Sequence, residues 1–158
     1  MFPWGHVVDD DGNVTASSPG STDEPPAAFA PSQGMRCSLA DWGRFASLHL
    51  SGSVGSTTAL LHPPSFEKLQ TPFDITHALG WYAVSRAWAG AQLALNYGSG
   101  GTVAHRPSYS LVWVLPSKNA AILVAMNQGG AAASKVADDA VAYLVGSIVN
   151  AAADDGKP

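Results

Sequence analysis

Tyr109-Ser-Leu-Val-Trp-Val-Leu115, Pro116-Ser-Lys-Asn119 and Ala120-Ala-Ile-Leu-Val-Ala-Met126 follow one another without interruption. The two outer runs have the length and the β-branched and aromatic content of strands, and the residues between them are turn formers. Together they predict an antiparallel hairpin. Ala120 to Met126 is apolar at both alternating sets, which predicts a central strand covered on both faces. Two further strand-like runs precede the hairpin, Leu79 to Trp88 and Gln92 to Tyr97, divided by glycine, so the hairpin extends into an antiparallel meander. After it, Ala131 to about Ala153 carries Val136, Ala140, Tyr143, Leu144 and Ile148 at helical spacing. A helix with such a face needs a sheet to lie on.

Working back toward the N-terminus, Ser38-Leu-Ala-Asp41 reads as a helix start, with a serine cap and an acid three residues on. Leu39, Trp42, Phe45, Ala46, His49 and Leu50 then recur on one helical face, and the helix is expected to stop near Ser51-Gly52. His62-Pro-Pro-Ser65 opens a short helical piece, Phe66 to Gln70, which Thr71-Pro72 closes. Residues 1–33 are rich in Pro, Gly, Ser, Asp and Thr and read as a loop-rich arm, whereas residues 34–153 hold the helices and the sheet. The fold class is α+β, an antiparallel β-sheet flanked by helices, in a single domain over 1–158.

Composition narrows the function classes. With 158 residues, 46% of them hydrophobic, the chain can bury one real core. A net charge of -4 with eight Lys and Arg offers no basic patch for phosphates, which argues against a nucleic-acid partner. The single cysteine, Cys37, excludes an intrachain disulfide. The longest strongly apolar run, Ala120 to Met126, is far short of the roughly 20 residues a transmembrane helix needs. Met1-Phe-Pro-Trp-Gly-His6 lacks a basic stretch followed by an apolar one, so no secretory leader is read there, and no residues carry an address to a compartment. A long loop at the N-terminus is unusual unless it wraps a body, so the chain is expected to be part of a larger architecture.

Pro31-Ser-Gln-Gly-Met35-Arg-Cys-Ser38-Leu-Ala-Asp41-Trp42-Gly-Arg-Phe45 resembles a stretch common in β-lactamase-related serine hydrolases of the class C and esterase-like type, the wider group of penicillin-binding proteins. Leu79-Gly80-Trp81, Trp88-Ala89-Gly90, Gly98-Ser99 and the run from Val112 to Asn127-Gln128-Gly129-Gly130 extend the likeness over most of the chain, from Trp4-Gly5-His6 to about Val145. The resemblance implies the C-terminal part of the β-lactamase/transpeptidase-like fold. It also implies acyl-enzyme hydrolysis of an ester or amide, without a cofactor, by a Ser-x-x-Lys serine, a Tyr-x-Asn or Ser-x-Asn loop, and a Lys/His-x-Gly edge strand. Only the third element falls within the matched region. It is expected at Asn96-Tyr97-Gly98, as substrate-binding residues, with the backbone N–H of Ser99 as the oxyanion donor. Asn96 departs from the family pattern, because an amide donates hydrogen bonds but brings no positive charge.

Two literal matches to the other elements read better as structure. Ser65-Phe-Glu-Lys68 has the nucleophile spacing, but it sits on a short, Pro-bounded helix with solvated charges, so Ser65 reads as an N-cap. Ser117-Lys118-Asn119 lies in the hairpin turn. His6, His49, His62, His77 and His105 are scattered without ligand spacing, which predicts no metal site. His105-Arg106-Pro107 could line a pocket beside the glycine loop, and an exposed loop histidine is the plainer reading. Tyr97 could offer its ring to a substrate or pack in a half-buried strand; Trp42 and Trp113 fall on core faces rather than on a carbohydrate platform. The expected function is thus that of a partial serine hydrolase that is inactive alone and lacks the nucleophile segment. The alternative is a non-catalytic interaction module that keeps the scaffold. Either leaves apolar sheet surface open to self-association.

Overall fold

A computed structural model describes residues 3–18, 27–29, 35–90, 93–99 and 107–149. Two short strands, β1 (Gly5–Val8) and β2 (Val14–Ser17), pair antiparallel near the N-terminus. Helices α1 (Leu39–Ser53) and α2 (Pro63–Gln70) follow. Strands β3 (Tyr82–Ser85), β4 (Leu93–Ser99), β5 (Tyr109–Leu115) and β6 (Ala120–Met126) form a four-stranded antiparallel sheet in chain order. Helix α3 (Ala131–Leu144) ends in a π-helical turn, Val145–Val149. The molecule is α+β, as its sequence pattern implies.

Alternation along β5 divides the core in two. Tyr109, Leu111, Trp113 and Leu115 face α3, where Ala133, Ala137, Val141 and Val145 meet them. Val112 and Val114 face the other way and pack with Leu95, Ala83 and Trp81 against Ala46 of α1. Small residues at 133 and 137 let α3 approach the sheet closely enough to cover Trp113, which is only 1% exposed.

That geometry corrects the helical face expected from periodicity. Val136, Tyr143 and Ile148 point to solvent, because the alanine stripe, not the stripe of large residues, fits against the bulky β5 side chains. On α1, Leu39 and Phe45 are likewise exposed, while Ala46, His49 and Gly52 are buried. The central strand is also reassigned. β6 is the sheet's last strand among the described residues, and β5, buried along nearly its whole length, takes the interior position. The apolar character of β6 reflects its packing against both α1 and α3.

Local signals account for the element boundaries. Ser38 caps α1, its Oγ accepting from the Asp41 N–H at 3.1 Å while donating to the Asp41 carboxylate at 2.7 Å. The helix runs through Gly52 rather than stopping there. A Cβ at position 52 would overlap the Phe66 ring of α2, so glycine lets the two helices touch. Pro116 to Lys118 make a 3-10 turn, and Asn119, at φ 48°, takes the left-handed conformation that reverses the chain into β6. The expected strand at Leu79 to Trp88 shrinks to Tyr82–Ser85, because Ala87–Ala89 coil into another 3-10 turn. The arm over 1–33 is not all loop, since the β1–β2 hairpin docks on the sheet. His6 N–H donates to the Pro107 carbonyl at 2.8 Å, and His6 bridges to Gln128 just past β6. Alternation over only four residues was too short to register against the Asp- and Gly-rich turn between the strands.

Candidate functional site

The expected substrate-binding run lies on β4, between β3 and β5. Asn96 pairs with Tyr82 on one side and Trp113 on the other, and Tyr97 pairs with Val112. Consecutive strand residues point to opposite faces, so Asn96 shares the α3 face with Trp113, while Tyr97 shares the α1 face with Val112 and is 41% exposed. Their side chains therefore cannot line one pocket.

The backbone of this run has a different and more specific arrangement. Trp81 C=O accepts from the Ala78 N–H at 2.8 Å and Ala83 N–H donates to the Thr76 carbonyl at 2.7 Å, so both turn away from β4. Tyr82, between them, must turn its N–H and C=O toward β4, opposite Asn96. Continued alternation sends the backbone groups of Asn96 and Gly98 toward the β3 side and those of Tyr97 and Ser99 toward β5. Ser99 is there paired with Ser110. Because β3 begins at Tyr82, Gly98 lies past its end, and its N–H points to a side where no strand is paired with it among the described residues. By register the Gly98 N–H points to the β3 side of the strand, and the N–H of Ser99, the expected oxyanion donor, points toward β5.

Neither decoy gains a catalytic setting. The N-cap of α2 is His62, and Ser65 is the third helical residue, its N–H donating to the His62 carbonyl at 2.9 Å, so the N-cap reading of Ser65 is corrected. Lys68 is solvent-exposed, without the desolvated surroundings a neutral amine base requires. Ser117 occupies the 3-10 turn, on the wall of a cleft of about 690 Å³ that also touches Glu67, Gln70 and Leu95.

Of the described histidines, His49 is the one that is buried. It sits among the rings of Phe45, Phe66 and Trp81, and burial holds its imidazole below the ordinary value of 6.5. Gln70 links it to α2: its amide nitrogen lies 3.4 Å from His49 Nδ1 and donates to the His49 carbonyl at 3.1 Å. His77 pairs with the Asp74 carboxylate at 2.9 Å on the surface. His105 lies outside the described residues. Among the described residues, no three His, Cys, Asp or Glu side chains come together as a metal site. No helix there is long and apolar enough to cross a membrane.

Sequence reasoning missed a second concavity, on the α3 face. A groove of about 460 Å³ is lined by Arg86, Asn96, Trp113, Ser134, Lys135 and Asp138, among others. Asn96 Nδ2 and Trp113 Nε1 are buried without a hydrogen-bond partner among the described residues. The signal was present only as a pair of polar atoms on strands 17 positions apart in the chain, which register alone brings opposite one another.

No family model, curated protein or solved structure matches this chain.

Proposed function

We propose that this chain forms the sheet-and-helix portion of a β-lactamase-related serine hydrolase, which cleaves an ester or amide through an acyl-enzyme with a serine from outside these 158 residues. The observation that carries the reading is the Gly98 N–H, which register turns to the β3 side of β4 past the last β3 pair, one residue before the donor that the family likeness implies at Ser99. The element order supports it: two helices, an antiparallel meander and a terminal helix follow one another as the family likeness implies. In this role the Gly98 N–H stabilises the negative oxygen as the serine adds to the acyl carbonyl. The absence of a side chain at 98 lets the carbonyl approach the strand backbone. Tyr97, half exposed on the α1 face, forms part of the adjoining wall.

A second reading, a non-catalytic interaction module, draws on a separate observation. The segment alongside β3 exposes Phe73 at 72% and Ile75 at 95%, more apolar surface than a solvated loop requires.

Amide-resolved NMR on the full chain separates the two. In the hydrolase reading the Gly98 amide exchanges with solvent faster than that of Ser99, and it shifts on addition of benzylpenicillin or phenyl acetate, with no covalent adduct by intact mass. A Gly98 resonance that ignores both compounds removes the hydrolase reading and leaves the module. A stoichiometric adduct mapped to Ser65 would instead make the chain an enzyme in its own right.

A further inference from the structure

We propose that the groove between the start of α3 and the sheet binds a singly charged carboxylate, gripped by Trp113 Nε1, Asn96 Nδ2 and the Arg86 guanidinium. The site lies on the opposite face of the sheet from Tyr97 and does not depend on the hydrolase reading.

The first support is an unmet demand. Trp113 is 1% exposed, and its indole N–H can only donate, yet it has no acceptor among the described residues. Asn96 Nδ2 is in the same condition. Asn96 and Trp113 are direct cross-strand partners on one face, so the two orphaned donors belong to neighbouring side chains that both line the groove. A buried donor left without an acceptor is destabilising, and a bound acceptor removes that penalty. A carboxylate, which accepts at two oxygens and donates at none, suits a pair of N–H groups.

Charge points the same way. The Arg86 guanidinium lies over the Trp113 ring, 5.4 Å from its centroid, and Trp88 packs edge-on against that ring at 4.9 Å, so the indole is held by contacts on its ring. The start of α3 reaches the groove through Ala131; its N-cap, Gly130, supplies no side-chain acceptor, and the first turn has no acidic residue. The helix end therefore adds a favourable field for an anion. Opposing it, Asp138 and Asp139 stand on the groove's outer wall. Lys135 neutralises Asp139 at 2.6 Å, whereas Asp138 remains to repel. One guanidinium against one residual carboxylate favours a monoanion over a doubly charged phosphate or sulfate. Tyr109 and Ser134, hydrogen-bonded to each other at 3.3 Å, add hydroxyls at the rim.

The carboxylate could belong to a free small acid or to a peptide C-terminus, and both have the same chemistry. The test follows the indole N–H resonances of the ¹⁵N-labelled full chain, with Trp113 assigned through W113F, at constant ionic strength. The probes are sodium propionate, propionamide, inorganic phosphate, and N-acetyl-Gly-Gly with a free or amidated C-terminus. The Trp113 signal is expected to move and saturate with propionate, with a dissociation constant on the order of 1 mM. Propionamide and phosphate should bind more weakly, and R86M should weaken propionate about tenfold. Tighter binding of the free-terminus peptide identifies a chain end as ligand; equal binding identifies a small acid. N96L serves as a second variant, its fold checked by circular dichroism. A Trp113 resonance that stays still with every carboxylate, or one that responds equally in wild type and R86M, overturns the proposal.

Discussion

His49 shows how one side chain joins packing to pH dependence. Its ring lies among Phe45, Phe66 and Trp81, and burial favours the neutral imidazole. The folded-state value is therefore depressed below that of the unfolded chain. The unfolded chain takes up the proton first as the medium is acidified, so His49's contribution is complete above pH 6.5 and is lost as pH falls through the folded value. Urea midpoints measured from pH 8 to pH 5 should decline on the acid side, and H49F should flatten that decline. Gly52 supplies the matching steric case. Its Cα faces the Phe66 ring with no room for a methyl group, so G52A is expected to lose about 1–3 kcal/mol by chemical denaturation. A loss no larger than a surface Gly→Ala change would mean that α1 and α2 can separate freely.

At the level of elements, capping and strand order decide more than propensity does. Ser38 holds the first turn of α1 through its hydrogen bonds with Asp41. S38A should therefore cost about 1 kcal/mol, with S38D close to neutral, as read from thermal melts. If both changes behave alike, the cap is not what starts the helix. The order of the sheet has a consequence for the site. β4 is longer than its neighbour β3, and the mismatch leaves Gly98 beyond the last β3–β4 pair. Extending β3 by two paired residues, so that residue 80 stands opposite Gly98, would close that edge, so the direction of this donor matters through strand length rather than through any single side chain.

Across the whole molecule, one sheet face is covered by α3 and the other by α1, yet apolar surface remains outside both. Phe73, Ile75 and Leu79 stand exposed along the outer side of β3, where Phe73 N–H bonds to the His77 carbonyl and Ala83 N–H to Thr76. Such a strip invites a second surface, either another copy of the chain or a partner. Sedimentation velocity is expected to show concentration-dependent association that F73D together with I75D abolishes. A wild-type chain that stays monomeric at high concentration would mean that the strip is not self-complementary.

The sequence by itself determined the class and the order of the elements: period-two apolar runs, a Pro-Ser-Lys-Asn turn, a serine-capped helix and a terminal helical repeat are local signals, each readable within about a dozen residues. It placed β5, β6, α1 and α2 close to where they stand and correctly put Ser117 in a turn. What it could not decide depended on neighbours far along the chain. Which strand is central follows from pairing, so β5 rather than β6 holds the interior place. The buried stripe of α3 follows from the bulk it must meet on β5, so alanines displaced the larger residues. Only the register of β3 with the segment at 76–78 fixes the direction of each N–H along β4, with Gly98 turned to the β3 side and Ser99 toward β5. Only the pairing of Asn96 with Trp113 makes two ordinary residues into neighbouring buried donors without an acceptor among the described residues. Periodicity records which residues prefer to leave water; it holds no record of what they will face once they have done so.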